Sequence, residues 1–315
     1  MQFYSIEEKW LKNKKNTDKL QIYVHNPFCS RLCTFCAYSG TLYKEKDYNF
    51  YYKEYLPNTI IKYSNIINTF VNQKYWLGGG TPNIMKEEDM MNIFSLLGFH
   101  KINNHKVIEV NPSLLTYKQI ELFKIFKFNT ISIGIQTFDK NVLKAYNRDF
   151  VDKDKIKNLV KYIKDLGMKV CVDILFLYGS KGFVEDLKFL EELEVDEIVL
   201  AYDYALKWNN GILKLFLNEV YRFLEITERY KLQKKVKDME RWCKQKNGIQ
   251  LVLNETSHAE VLGYIYNTKI HKGKEDISTL GIGSWSNRKI YSTINDTFQY
   301  YTTMVNGEDA YEPFF

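Results

Sequence analysis

An α/β fold built on a parallel sheet is predicted by three observations. Short apolar runs alternate with helical patterns through the first two thirds of the 315 residues, the pattern of parallel strands joined by right-handed crossovers. Glycine-rich or polar residues gather at or near the ends of these runs, where barrels of βα units carry their sites. No proline- or glycine-rich linker divides the chain, so it reads as one domain with a C-terminal elaboration. Six such units can form an open doubly wound sheet or a barrel, complete or partial, and periodicity alone does not choose between them.

The first strand is Lys19–His25 (KLQIYVH), followed by a loop rich in cysteine. A long amphipathic pattern from Asp47 to Phe70 reads as one helix, and Gln73–Leu77 as the second strand, running into Gly78-Gly79-Gly80-Thr81-Pro82. A helix over Glu87–Leu97 precedes the third strand, Lys106–Asn111, and another over Tyr117–Phe126 precedes the fourth, Thr130–Gln136. Helical segments at Asn141–Tyr146 and Lys153–Leu166 lead to the fifth strand, Met168–Phe176. A helix over Val184–Leu193 then leads to the sixth, Val195–Tyr202. From Gly211 to Asn247 the pattern is helical, and the remainder mixes short strands and turns.

Hydrophobic residues make up 45% and charged residues 26% of the chain, within the range of soluble globular proteins. No apolar run reaches bilayer-spanning length, and the N-terminus lacks the apolar segment of a signal peptide, so a cytoplasmic protein is expected. The net charge of +6 is spread among acids, as in Lys44-Glu45-Lys46-Asp47. That is a solvated surface rather than a nucleic-acid stripe. Five cysteines, three of them crowded together, make a poor disulfide framework and suit metal-bound thiolates instead.

Those three are Cys29, Cys33 and Cys36, in C-x3-C-x2-C spacing within YVHNPFCSRLCTFCAYSG. Closely spaced cysteines on a loop are the usual sign of an iron–sulfur cluster, and three thiolates leave one iron open to another ligand. A zinc site is the alternative, with His25, Cys171 or Cys243 as fourth ligand; Cys171 and Cys243 otherwise read as inert buried thiols. In GGGTP, glycine lets the backbone approach a ligand closely, and Pro82 stiffens the exit. Glu109 in KVIEVN and Asp173 in VCVDILF are charges amid apolar strand residues, costly unless paired. Each alone reads equally well as a structural ion pair. Together with Gln136 and Arg148 around one barrel mouth they favour a site.

With an aromatic residue, Phe35, before its last cysteine, the triplet resembles the signature of radical S-adenosylmethionine (SAM) enzymes. The wider YVHNPFCSRLCTFC resembles the oxygen-independent coproporphyrinogen III oxidase (HemN-like) family, which includes haem chaperones and class C radical SAM methyltransferases. The resemblance runs from Ile22 to Tyr301. It implies an incomplete (β/α)6 radical SAM (TIM-like) barrel with a C-terminal α+β elaboration. Residues 1–18 would be an N-terminal extension, 19–205 the barrel core and 206–315 the elaboration packed on it, without a separate C-terminal domain. It implies a [4Fe–4S] cluster on the three cysteines, chelated at its free iron by SAM. A flavodoxin or ferredoxin would supply the electron that cleaves SAM to methionine and a 5′-deoxyadenosyl radical.

By the same resemblance Tyr23, Gly79 and Glu109 match positions contacting the cleaved SAM. Phe35, Gly80, Thr81, Gln136, Arg148, Asp173 and Ala205 match positions contacting a second SAM. The segments Asn254–Ser257, Leu280–Ser286, Asn295 and Tyr300–Tyr301 resemble the family's closing segments, with Trp285 either a SAM contact or a core aromatic. The chain departs from the family at DILFLYGS after Asp173, where the usual run is D-L-I-Y-G-L-P, and at Leu206, where the oxidase pattern has histidine. The expected reaction is therefore radical methyl transfer or related carbon–carbon bond chemistry on a small molecule. Decarboxylation of a tetrapyrrole side chain and a haem-binding chaperone with little SAM turnover are the alternatives.

Overall fold

The computed structural model describes residues 19–36, 41–68, 72–100, 105–176 and 182–202, and the backbone of strands at 250–254, 278–286, 289–295 and 312–313. Six parallel strands form its centre: β1 (Lys19–Asn26), β4 (Asn72–Gly79), β5 (His105–Val110), β6 (Thr130–Gln136), β7 (Lys169–Phe176) and β8 (Glu197–Tyr202). They lie side by side in chain order, each hydrogen-bonded to the next. Between them run α1 (Glu45–Phe50) and α2 (Leu56–Asn68), α3 (Glu87–Leu96), α4 (Tyr117–Ile125), α5 (Lys140–Ala145), α6 (Lys153–Asp165) and α7 (Phe183–Glu192). A two-stranded piece, β2 (Phe28–Cys29) with β3 (Thr41–Leu42), flanks the cysteine loop.

The C-terminal third joins the same sheet. Strand β9 (Gln250–Asn254) pairs parallel with β8, and β10 (Ser278–Ser286) pairs parallel with β1 on the opposite side. The strands β11 (Lys289–Asn295) and β12 (Glu312–Pro313) continue outward from β10 in antiparallel pairing. Ten of the twelve described strands make one order that ends in β12 on one side and β9 on the other, so the barrel is incomplete among the described residues. The expected 1–18 extension, the stretch 211–247 expected to be helical, Cys243, Ala205, Leu206, the closing residues 255–257 and Tyr300–Tyr301, and the side chain of Trp285 lie outside the described residues.

Period-two alternation divides each strand between two environments. One face carries Ile22, Val24, Tyr75, Leu77, Ile108, Val110, Ile131, Ile133, Val170, Val172, Ile174 and Ile198, all buried in the core shared with the helices. The register places Tyr23 beside Trp76, Glu109 beside Ser132, Ser132 beside Cys171, and Gly134 beside Asp173 on the other face. The helices are capped locally. Thr116 and Gln119 form a reciprocal capping box on α4, while Asp139 and Asp152 cap α5 and α6.

The single helix expected from Asp47 to Phe70 is instead two helices joined by a π turn, Tyr51–Tyr55. Pro57 follows that turn; it has no N–H to give the carbonyl four residues back, which loosens the ladder there. The wider turn packs Tyr48, Tyr51 and Tyr52, none of them exposed, around Phe28 at centroid separations of 5.7 to 6.0 Å. The Tyr51 hydroxyl donates to the His25 carbonyl, tying the turn to the end of β1. This aromatic block supports the cysteine loop from behind.

Candidate active site

The cysteine loop leaves β1 through Asn26-Pro27-Phe28 and is held at both ends. Its start is stitched to the glycine turn: Gly80 N–H donates to the Asn26 carbonyl at 2.6 Å and Thr81 N–H to the Phe28 carbonyl at 2.7 Å. Its distal part docks on the turn after α5. Thr34 N–H donates to the Tyr146 carbonyl at 3.1 Å, and the Asn147 amide to the Leu32 carbonyl at 3.0 Å. Arg31 pairs with Asp149 at 2.9 Å, and the Phe35 ring meets Tyr146 edge-on at 5.3 Å. None of the three is in a disulfide; Cys29 and Cys33 are half-buried and Cys36 is exposed. Burial pushes the Cys29 thiol up in pKa, opposed by a hydrogen bond with the Thr81 side chain.

The glycines are required by close approach. Gly79 has φ +107°, and a Cβ there would lie 2.6 Å from both the Asn26 carbonyl oxygen and the His25 ring. A Cβ on Gly80 would lie 2.6 Å from the Phe28 carbonyl oxygen and 2.9 Å from Cys29 Sγ. Gly79→Ala therefore combines left-handed strain, about 1–2 kcal/mol, with a clash against backbone. We expect a loss of at least about 2 kcal/mol in folding stability, read as a lowered midpoint in denaturant. A wild-type midpoint would contradict this account of the turn.

Across the sheet face from β4 to β7 runs a polar row. Trp76 Nε1–H donates to Glu109 Oε1 at 2.7 Å, while Gly79 N–H approaches Glu109 Oε2 at 3.4 Å. Burial pushes the Glu109 carboxyl up to about 8, with the charge of Asp173 adding to it and those two donors opposing. Ser132 Oγ donates to Asp173 Oδ2 at 3.1 Å, and burial pushes Asp173 up to about 6 against the pull of Ser132 and Arg148. Arg148 donates to the Gly134 carbonyl at 2.5 Å and to Cys33 Sγ at 3.7 Å. Beside it the sheet is irregular. The β6–β7 register shifts between Gly134 and Gln136, and Gln136 sits at φ +74°, a strained conformation of the kind that clusters at functional sites.

The structure thus brings the sequence-predicted residues into two adjoining groups. Gly79, Gly80, Thr81 and Glu109 surround the junction of β4 with the cysteine loop. Gln136 and Arg148 converge on Gly134, whose strand neighbour is Asp173. Tyr23 is buried beside Trp76, its hydroxyl 3.1 Å from His25 Nδ1, and Phe35 packs on Tyr146 and Leu175. Sequence reasoning missed Trp76, Ser132 and the Tyr146–Asp149 turn. Trp76 and Ser132 could have been found by counting in twos from Gly78 and from Gly134 along their strands. For the turn there was no signal beyond Arg148.

Residues 23–205 match the radical SAM superfamily. The chain belongs to that superfamily. Its cofactors are a [4Fe–4S] cluster and SAM. The residues of this radical SAM chain fit them: three thiols on one loop, none in a disulfide, a hydroxyl on Cys29, a cation beside Cys33, and glycines that clear backbone next to the Cys29 sulfur. Among the described residues no three His, Cys, Asp or Glu side chains converge as ligands of one ion, and neither His25 nor Cys171 completes a zinc set with the triplet. No described helix is long and apolar enough to cross a membrane.

Curated relatives of the chain include heme chaperones and oxidases. The chain is 26% identical over 175 residues to Heme chaperone HemW of Buchnera aphidicola, covering 55% of this chain and 46% of that protein. It is 29% identical over 195 residues to the oxygen-independent coproporphyrinogen III oxidase of Salmonella typhimurium, covering 59% and 42%. The Helicobacter pylori oxidase matches at 25% over 320 residues, covering 95% and 66%. The chain therefore spans less than half the length of the first two. In structure it is similar to coproporphyrinogen III oxidase (HemN) from Escherichia coli, with a TM-score of 0.63 over 98% of this chain and 75% of that one. At 18% identity that likeness is one of fold.

Proposed function

We propose that this chain binds a [4Fe–4S] cluster through Cys29, Cys33 and Cys36, cleaves SAM, and carries out radical methyl transfer or related carbon–carbon chemistry on a small molecule. The observation that carries the reading is the stitching of the cysteine loop to the Gly79–Thr81 turn, which puts Cys29, the first of the loop's three thiols, beside a backbone shaped for close approach. When bound, the cluster supplies one electron to SAM and so makes a 5′-deoxyadenosyl radical available to abstract hydrogen.

The protein's own residues supply position and charge. Gly79, Glu109 and Tyr23 line the first SAM position, where Trp76 and the Gly79 amide aim the Glu109 carboxylate. Gly80, Thr81, Gln136, Arg148 and Asp173, with Phe35 and Ala205, are proposed for a second SAM; the convergence of Gln136 and Arg148 on Gly134 supports such a pocket. Residues 19–205 are proposed as the barrel core and 206–315 as an elaboration on it. A flavodoxin or ferredoxin is the proposed electron donor and the cytoplasm the proposed compartment.

The named relatives support a second reading in each direction, decarboxylation of a tetrapyrrole side chain or haem carriage with little SAM turnover. Anaerobic reconstitution followed by dithionite and SAM separates enzyme from carrier. We expect 5′-deoxyadenosine to be released; tight haem binding without release would overturn the enzymatic reading. Methyl-deuterated SAM then separates the two reactions, because label reaches product only in methyl transfer.

A further inference from the structure

Arg148 joins the two halves of the site, and its position is built into the fold on three sides. It follows α5 at the turn that receives the cysteine loop. Its Nη1 points to Cys33 Sγ at 3.7 Å and its Nη2 to the Gly134 carbonyl at 2.5 Å. Gly134 leaves room for it: a Cβ there would lie 3.0 Å from Nη2 and 3.2 Å from the Gln136 amide nitrogen. Neighbouring Asn147 takes the left-handed conformation, φ +54°, that turns the chain back so that Arg148 faces the sheet, while its own amide holds the Leu32 carbonyl.

We infer that Arg148 is a positioning residue that sets the reduction potential of the cluster by donating an N–H···S hydrogen bond to the Cys33 thiolate. The inference rests on the reading that Cys33 is a cluster ligand, and goes beyond it. Hydrogen bonds and positive charge at a ligating sulfur favour the reduced, more negative cluster, so they raise its potential. A guanidinium is fitted to this task because it stays charged and offers a rigid fork, one arm for the sulfur and one for the carbonyl that fixes it. The expectation that Arg148 contacts a second SAM does not require the sulfur contact.

The test is an anaerobic redox titration of the reconstituted full chain, followed by visible absorbance and electron paramagnetic resonance. Arg148→Gln is expected to lower the reduced-to-oxidised ratio about tenfold at fixed solution potential, about 59 mV for a one-electron couple. Arg148→Lys, which keeps charge but not the fork, should fall between. Gly134→Ala should shift in the same direction by displacing the guanidinium. Lys144→Gln, removing an exposed cation of the preceding helix α5, should leave the potential unchanged. Intact cluster absorbance with a wild-type potential in Arg148→Gln overturns the inference alone. Should Arg148→Gln fail to assemble a cluster, wild-type potentials in both Arg148→Lys and Gly134→Ala overturn it. A wild-type chain that takes up no cluster overturns the ligand reading and the inference with it.

Discussion

Replacing Cys33 with alanine should abolish the visible absorbance of the reconstituted protein, and iron content should fall with it. A cluster bound through three thiolates has no spare protein ligand, and the fourth iron is reserved for SAM. Cys33 also sits at a docked point of the loop, between the Asn147 amide on Leu32 and the Thr34 amide on Tyr146. No neighbouring residue can slide into its place without breaking that docking. Cys171→Ala is the matched control. That thiol is buried on β7 at 5% exposure, in register with Ser132 and Glu197 inside the sheet rather than on the cysteine loop, so its loss should leave the absorbance intact. Persistence of the absorbance in Cys33→Ala would contradict the ligand assignment, and its loss in Cys171→Ala would enlarge the ligand set.

Much of the barrel was legible because each strand carries two signals at once. In Thr130–Gln136 every residue is buried, and the apolar run is bounded by Asn129 and the Thr137–Asp139 cap, so its limits follow from composition alone. The helices α3 to α7 likewise begin and end within a residue of their amphipathic patterns. The π turn was not legible, since four tyrosines around Pro57 read as a continuous amphipathic face when counted at 3.6 residues per turn. What chose the wider turn is a tertiary contact, the ring of Phe28 from the far side of the cysteine loop. The extension of the sheet by β9 and β10 escaped for a related reason. Short strands far apart in the sequence say nothing of which edge they will join, and β10 reaches β1 from the other end of the chain.

Within the site the readable residues were those that violate their strand's pattern. Glu109 and Asp173 stand out because a carboxylate in an apolar strand must be paid for in solvation. Trp76 and Ser132 do not stand out, since tryptophan and serine are ordinary strand residues, yet they are the groups that hold those carboxylates. Gln136 was found by its place at a strand end, but nothing in TISIGIQ announces a positive φ at glutamine. Strain of this kind is imposed by neighbours, here the guanidinium of Arg148 and the amide of Gln136 sharing the space above Gly134. A sequence records the donors and acceptors of such a site more readily than the contacts that aim them.

Between about pH 5 and 9 the protein should lose stability as pH rises, and Glu109→Gln should remove most of the upper half of that loss. The Glu109 carboxyl is pushed from 4.5 up to about 8 and that of Asp173 from 3.8 up to about 6, in both cases chiefly by burial. The folded state therefore binds these protons more tightly than the unfolded state does. The stability they confer is fully present below the unfolded values, and it is lost as pH rises through about 6 for Asp173 and about 8 for Glu109. Both side chains are only half-buried by exposure, so the Glu109 contribution is on the order of a few kcal/mol rather than the full linkage value. Thermal unfolding across this range checks the slope. Glutamine keeps an oxygen for the Trp76 indole while removing the titration, so a slope unchanged from wild type between about pH 6 and 9 would assign the loss to other groups. SAM adds a second, independent readout. A cation bound beside Glu109 draws its carboxyl into the charged form, so the stabilisation that SAM confers should grow with pH in the wild type and stay flat in Glu109→Gln. Growth of equal size in both would place the SAM cation away from Glu109.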